Sequence, residues 1–316
     1  MRAYIVWDAF DVHRASEFRR KADTAHPHRK DIVVKRLEGK VAYITGAARG
    51  QGRSHAIRLA EEGADIIGID VCADIETVPY RGATSLDLAE TVTLVEEVGG
   101  RMLARTADVR DTNSLRAAAD EGLDAFGHID VVVANAGIIS YAPLLEIDDA
   151  AWETVIEVNL TGMWKTMKAV VPAVIAGNVG GSVVLTSSVL GLLALPNVAH
   201  YVAAKHGVTG LMRSLAVELA PHGIRVNSLH PSTVETPMII NEASLRLFTG
   251  GQSSTRGDAA AIMAGMNALP VPWLQPIDVS NALVYLASDE SRYVTGTTTV
   301  LDAGASAPVK MPSIVP

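Results

Sequence analysis

Tyr201 and Lys205 stand four residues apart in AHYVAAKHGVTGLMRSLAVELA, a helical pattern that ends at Pro221, so both side chains leave one helix face. A phenol with a reference pKa of about 10 needs help to exchange a proton near neutrality. A cation about 4 Å away contributes up to roughly 4 kcal/mol at intermediate dielectric, about 3 pKa units before desolvation opposes it. The pair is therefore a candidate proton-transfer group. Upstream, Ser187 and Ser188 end the apolar run GSVVLTSS, and strand alternation turns them to opposite sides.

A second pattern would bind rather than react. In TGAARGQG, Gly46, Gly50 and Gly52 follow the apolar run VAYIT and open the amphipathic run RSHAIRLAEEG. In that context Gly46 permits a tight turn, Gly50 lets backbone approach a pyrophosphate, and Gly52 lets helix pack on strand. The helix N-terminus then stabilises the anion. No Gly-Lys-Ser/Thr follows, which excludes a P-loop. Arg49 and Gln51 complete the candidate cofactor loop. Asp70 ends the next strand 18 positions after Gly52, where an acid that accepts hydrogen bonds from a ribose 2′-hydroxyl belongs. Arg49 is a contrary signal, able to pair with a 2′-phosphate. The charge of Asp70 would be unpaired against such a phosphate in a partly dry site, which favours NAD over NADP.

These residues need a frame. From Leu37 onward short β-branched runs alternate with helical patterns: VAYIT at 41, ADIIGID at 64, MLARTAD at 102, IDVVVANAG at 129, GSVVLTSS at 181, IRVNSLHP at 224 and TTTVLDAG at 297. Parallel strands need crossover helices, so this order predicts an α/β fold: a single Rossmann-type doubly wound parallel sheet with helices on both faces. Residues 37–316 form that domain and residues 1–36 an N-terminal arm. Two stretches exceed a minimal fold, an insertion at about 71–85 and an apolar loop at about 235–276. Both are candidate lids.

Composition sets limits. With 316 residues and 48 % hydrophobic content the chain can bury a large core. Its net charge of −8, from 27 basic and 35 acidic residues, offers no basic field for nucleic acid or an anionic membrane. No apolar run reaches the roughly 18 residues of a membrane span. Neither a secretory signal nor a transit peptide fits the arm, where Arg19, Arg20 and Lys21 mix with acidic residues. The lone Cys72 has no disulfide partner, which fits a cytoplasmic location. No histidine spacing resembles a metal site, and His200 and His206 read as ordinary helix residues.

The glycine loop, Asp108-Val109, the Asn135-Ala136-Gly137 turn, Asn159, and the set Ser188, Tyr201 and Lys205 occur in the order of the short-chain dehydrogenase/reductase family, which the chain resembles from about Leu37 to Gly304. The resemblance implies a tetrad of Ser188, Tyr201, Lys205 and Asn159. Ser188 is chosen over Ser187 because it lies thirteen positions before the tyrosine. It would hold the alcohol or carbonyl oxygen, while Lys205 holds the nicotinamide ribose and Asn159 positions a water leading from Lys205 to solvent. Asp108 and Val109 would lie near the adenine, and Asn135, Ala136 and Gly137 would steady the sheet beside the cofactor. In HPSTVETPM, Pro231, Val234 and Thr236 would close over the nicotinamide. Ser232 replaces the usual glycine there, and DAGA departs from the common Asp-Gly-Gly.

The insertion VCADIETVPYRGATSLDLAETVTLVEEVGGR and the phrases LPNVAHYVAAKHGVTGLMR and HPSTVETPMI resemble the mycofactocin-associated, carveol dehydrogenase-like subfamily. That implies an NAD-dependent alcohol dehydrogenase, a homotetramer, which keeps its nicotinamide and passes electrons to a peptide-derived mycofactocin carrier. The insertion follows the ribose-binding acid, where it would cover the adenine end. Apolar residues between 238 and 274 fit a small apolar alcohol or ketone substrate. An NADPH-dependent ketoreductase and a non-catalytic nicotinamide-binding sensor or scaffold are the alternatives.

Overall fold

The seven β-branched runs become seven strands of one parallel sheet in the order β3-β2-β1-β4-β5-β6-β7. In this computed structural model, which describes residues 35–307, they are β1 (Val41–Thr45), β2 (Asp65–Asp70), β3 (Met102–Thr106), β4 (Val131–Ala134), β5 (Gly181–Thr186), β6 (Ile224–Pro231) and β7 (Thr298–Leu301). The expected arm lies outside the described residues except for its last two. Of these, Arg36 is tied into the domain by its guanidinium, 2.5 Å from Glu62 Oε1.

Side-chain alternation builds the two core layers. Val41 and Tyr43 pack on one face of β1 with Leu115, Val170 and Met212, while Ala42 and Ile44 pack on the other with Leu59, Val95 and Leu283. Helices α1 (Gly50–Glu61), α2 (Ser85–Glu97) and α9 (Pro276–Ala287) cover the second face. Helices α3 (Thr112–Phe126), α5 (Gly162–Gly177) and α6 (Ala199–Glu218) cover the first. Both faces being covered is why the strands read as unbroken apolar runs.

Chain direction across the sheet reverses between β1 and β4, which pair at Ala42↔Val131 and Ile44↔Val133. In an open sheet of this kind the crevice beyond the carboxyl ends of those strands is the natural ligand site. Two irregularities bear on it. A five-residue π-turn, Glu157–Thr161, separates α4 (Asp149–Ile156) from α5 and carries Asn159. The long 235–276 loop contains two helices, α7 (Glu242–Phe248) and α8 (Arg256–Met266), capped by the side chains of Asn241 and Thr255. Near the end, Ala303 takes the left-handed φ of +52° where the common pattern has glycine.

Candidate functional site

The glycine loop turns where expected. Gly46 and Gly50 have φ of +70° and +56°, values a side chain disfavours. A Cβ on Gly52 would lie 1.9 Å from Gly46 O, so the first turn of α1 sits against the loop with no room for one. Beside it, Asp70 accepts Ala48 N–H at 3.1 Å on Oδ2 and Cys72 N–H at 3.2 Å on Oδ1. Each carboxylate oxygen keeps a further acceptor site, and the residue lines the cleft.

That cleft encloses about 970 Å³, open to solvent. The glycine loop, Asp70, Asp108, Val109 and the Asn135–Gly137 turn line it from the sheet side. Asn135 ties the strands together there: its N–H reaches Thr45 Oγ1 at 2.9 Å and its Nδ2 reaches Thr45 O at 3.1 Å. Ala136 N–H donates to the same hydroxyl at 2.9 Å. The Asp108 carboxylate is held by Arg110, whose hydrogen bonds keep it below the usual carboxylate range against the opposing effect of burial. Gln51 Oε1 is buried in the cleft wall without a hydrogen-bond partner. An orphaned acceptor, a glycine cradle that a Cβ would fill and an acid with spare lone pairs fit the cleft to a dinucleotide.

Arg49 and the insertion act as a unit, which sequence reasoning did not reveal. The guanidinium donates to Gly82 O at 3.0 Å and Arg81 O at 2.6 Å and lies 6.0 Å from the Tyr80 ring centroid. It fastens the insertion and does not stand free for a 2′-phosphate. Asp74 Oδ1 closes the base of the insertion on Gly82 N–H at 2.6 Å. The insertion also reaches across the cleft. Tyr80 Oη accepts Ile139 N–H at 3.2 Å, on the far side of the Asn135–Gly137 turn, and burial pushes its phenol well up.

Two of the four expected residues, Asn159 and Lys205, approach Gly137. A Cβ on that residue would lie 2.8 Å from Asn159 Oδ1 and 3.6 Å from Lys205 Nζ, so glycine lets both approach. Asn159 is wholly buried; its Nδ2 donates to Ile138 O at 3.0 Å and Val155 O at 2.9 Å, and its Oδ1 accepts Ile138 N–H at 3.2 Å. Both amide hydrogens are thus committed to backbone. Lys205 Nζ donates to Thr186 O at 2.8 Å and lies 5.5 Å from the Tyr201 ring centroid. Ser187 Oγ turns to Lys205 O at 3.0 Å and Ser188 Oγ donates to Pro231 O at 3.5 Å, leaving Ser188 as the serine whose hydroxyl acts on the Tyr201 phenol.

One expectation is corrected. The lysine does not by itself make the phenol more acidic: burial pushes Tyr201 well up, with the Ser188 hydrogen bond opposing, and pushes Lys205 down to about 7. Removal from water is the leading cause of both shifts.

The segment after β6 folds over the glycine loop. Ser232 N–H donates to Leu301 O at 2.9 Å, and its φ lies outside the left-handed region, so serine takes this turn without strain. Val234 bridges to Leu274. The Thr236 hydroxyl is turned onto Val234 O at 3.3 Å, and its methyl would lie 3.3 Å from a Cβ on Gly50. Both ends of the 235–276 loop meet at Glu235, which accepts Trp273 Nε1 at 2.9 Å and Gln275 Nε2 at 2.8 Å and pairs with Arg256. Met238 from this loop lines the cleft, and Tyr141 Oη meets Ser244 Oγ of α7 at 2.9 Å. His206 is exposed and bonds its own helix, but His200 is buried and paired with Ser140 Oγ at 2.8 Å.

A seven-stranded sheet of this order, with a glycine loop and an acid at its switch point, defines a Rossmann-type dinucleotide-binding fold. The family model described as enoyl-(acyl carrier protein) reductase matches residues 46–306. A (−)-trans-carveol dehydrogenase of Rhodococcus erythropolis is 52% identical over 274 residues, covering 86% of this chain and 99% of the relative. A putative short-chain type dehydrogenase/reductase of Mycolicibacterium smegmatis is 54% identical over 275 residues, 85% of this chain and 98% of its own. Among solved structures, carveol dehydrogenase from Mycobacterium avium in complex with NAD matches with a TM-score of 0.84 and 52% identity over 86% of this chain and 99% of that one. The chain belongs to the short-chain dehydrogenase/reductase family, and carveol dehydrogenases are among its relatives.

Proposed function

We propose that this chain is an NAD-dependent alcohol dehydrogenase that interconverts a hydrophobic secondary alcohol and its ketone. The observation that carries the reading is the approach of Asn159 and Lys205 to Gly137, with Tyr201 beside Lys205 and Ser188 acting on the Tyr201 phenol, in a fold whose cleft contains Asp70. The NAD bound in the Mycobacterium avium relative and the substrate class named for the Rhodococcus relative support it. When bound, the nicotinamide supplies the hydride acceptor at C4 and, in its oxidised form, adds a positive charge. Ser188 holds the alcohol oxygen, and Tyr201 Oη takes the hydroxyl proton as the carbon gives up hydride. Lys205 orients the nicotinamide ribose and stabilises the phenolate that forms during proton exchange. Asn159 holds the Ile138 backbone and the π-turn through which water reaches Lys205.

The cofactor is NAD and not NADP because Asp70 would oppose a 2′-phosphate while Arg49 is committed to the insertion. Mass spectrometry of the purified protein tests this directly: NAD is expected, and NADP in its place would favour the ketoreductase reading. The insertion retains the cofactor, and the reduced form is reoxidised in place by a mycofactocin-type carrier in the cytoplasm. Exposed Trp152, Trp164 and Val217 on α4, α5 and α6 fit a homotetramer built on those helices. Tyr80→Phe combined with Arg49→Met removes the cross-cleft hydrogen bond and the backbone fastening. Each lost hydrogen bond is worth about 1 kcal/mol, so NAD release in a competitor chase is expected to quicken by about tenfold or more. Release at the wild-type rate would show that the insertion only decorates the surface.

A further inference from the structure

We infer that His230 is a positioning residue for Ser188: its imidazole braces the serine's main chain from the neighbouring strand and so fixes where the hydroxyl points. His230 is fully buried near the end of β6, beside β5. Its Nδ1 lies 2.8 Å from Ser188 O, and a carbonyl only accepts, so Nδ1 carries the hydrogen. Nε2 is then the acceptor, and Ser228 Oγ, 2.8 Å away, must donate to it. Both ring nitrogens are satisfied and the tautomer is set by the partners.

Ser188 is held at several points. Its carbonyl also accepts Gly191 N–H at 2.9 Å, and its Oγ accepts Leu190 N–H at 3.1 Å. Two residues earlier, Thr186 O takes the Lys205 ammonium. The carbonyls on either side of Ser187 are therefore claimed by two buried side chains, one of them the tetrad lysine. A polar chain of Ser228, His230 and the Ser188 carbonyl inside an apolar sheet costs desolvation that a Leu at position 230 would avoid. Such a cost is explained if it holds a backbone that must not shift. Burial lowers the His230 pKa to about 4, and the positive fields of Lys205, Arg213 and His206 act in the same sense. The ring stays neutral near pH 7 and adds no cation beside Lys205.

The inference rests on Ser188 holding the substrate oxygen, and the test separates the two. Full-length S188A, H230L and H230N are compared with the wild type for NAD content, melting temperature, kcat and KM with a hydrophobic secondary alcohol. S188A and H230L are both expected to lose kcat, H230L by about 10- to 100-fold, with NAD content and KM near wild type. H230N should recover most of that loss, since its Nδ2–H can donate to the Ser188 carbonyl. An inactive S188A alongside wild-type kcat in H230L overturns the role of His230 alone, whereas a fully active S188A overturns both. Should H230L not fold, S228A decides, because it removes only the donor to Nε2: reduced kcat at an unchanged melting temperature supports the inference, and unchanged kcat overturns it.

Discussion

Tyr201→Phe is expected to lower kcat for a secondary alcohol by about 10³-fold, within the range that general acid–base groups contribute, while the protein still folds and still carries NAD. The ring of Tyr201 is buried and lies under the Lys205 ammonium, contacts that phenylalanine keeps. Only Oη is lost, with its Ser188 hydrogen bond and its proton. Purified variant and wild type are to be compared by single-turnover reduction of the bound nicotinamide, which separates the hydride step from release. Turnover within about tenfold of wild type would remove Tyr201 from the mechanism and favour the reading of the chain as a nicotinamide-binding sensor.

The same residue sets the sign of the pH dependence. Burial holds the Tyr201 proton on and drives Lys205 to lose its own near pH 7. Alcohol oxidation needs a site that accepts a proton, so its rate should rise as pH increases above about 7. Ketone reduction needs the proton present and should fall over the same range. The two groups interact, so the apparent pKa belongs to the pair. In Tyr201→Phe the residual oxidation should lose this slope. For stability the sign also follows: Lys205 has a folded pKa below its unfolded value of about 10.5. The native state is therefore penalised at neutral pH, and the penalty is relieved as pH rises from about 7 towards that value.

Local pattern carried most of the fold. The strands are where β-branched runs fall, with ends trimmed by up to three residues, as in β4, which keeps only Val131–Ala134 of IDVVVANAG. Tyr201 and Lys205 were legible as a pair because their spacing puts them on one helix face, and the glycine loop because it is contiguous, whereas Ser188 and Asn159 came only from the family resemblance. What stayed hidden is what depends on pairs distant in sequence. Arg49 read as a phosphate partner because nothing local says that it reaches Arg81 and Gly82. Tyr80 read as part of an adenine cover because its partner, Ile139, belongs to another strand's loop. His200 carried no sign of burial against Ser140, and His230 none of its bond to Ser188. The 235–276 stretch read as a plain loop because α7 and α8 are short and are held by Glu235, whose partners lie 21 to 40 positions away.

Gly52→Ala is expected to abolish NAD retention and to lower thermal stability, because the loop has no slack to receive one methyl group. The added Cβ would meet Gly46 O at 1.9 Å, Gly46 C at 2.6 Å and Asn135 Nδ2 at 2.9 Å. Two of these are backbone atoms, so relief requires moving the glycine turn or the first turn of α1. Overpacking of this kind costs about 1–3 kcal/mol and sometimes more. The shift also spreads, since Asn135 Nδ2 donates to Thr45 O and Thr45 Oγ1 receives both Asn135 N–H and Ala136 N–H. Displacing Asn135 therefore disturbs the turn that leads to Gly137, around which Asn159 and Lys205 close. Gly99→Ala is the control: its Cβ would meet nothing within 4 Å, although its φ of +82°, unlike the helical backbone of Gly52, disfavours a side chain. Only Gly99→Ala bears that conformational cost, yet only Gly52→Ala should lose NAD, read as cofactor per protein after gel filtration and as melting temperature with and without added NAD. Wild-type NAD content in Gly52→Ala would mean that the glycine loop does not lie against α1 as the structure has it, and the pyrophosphate cradle would have to be sought elsewhere.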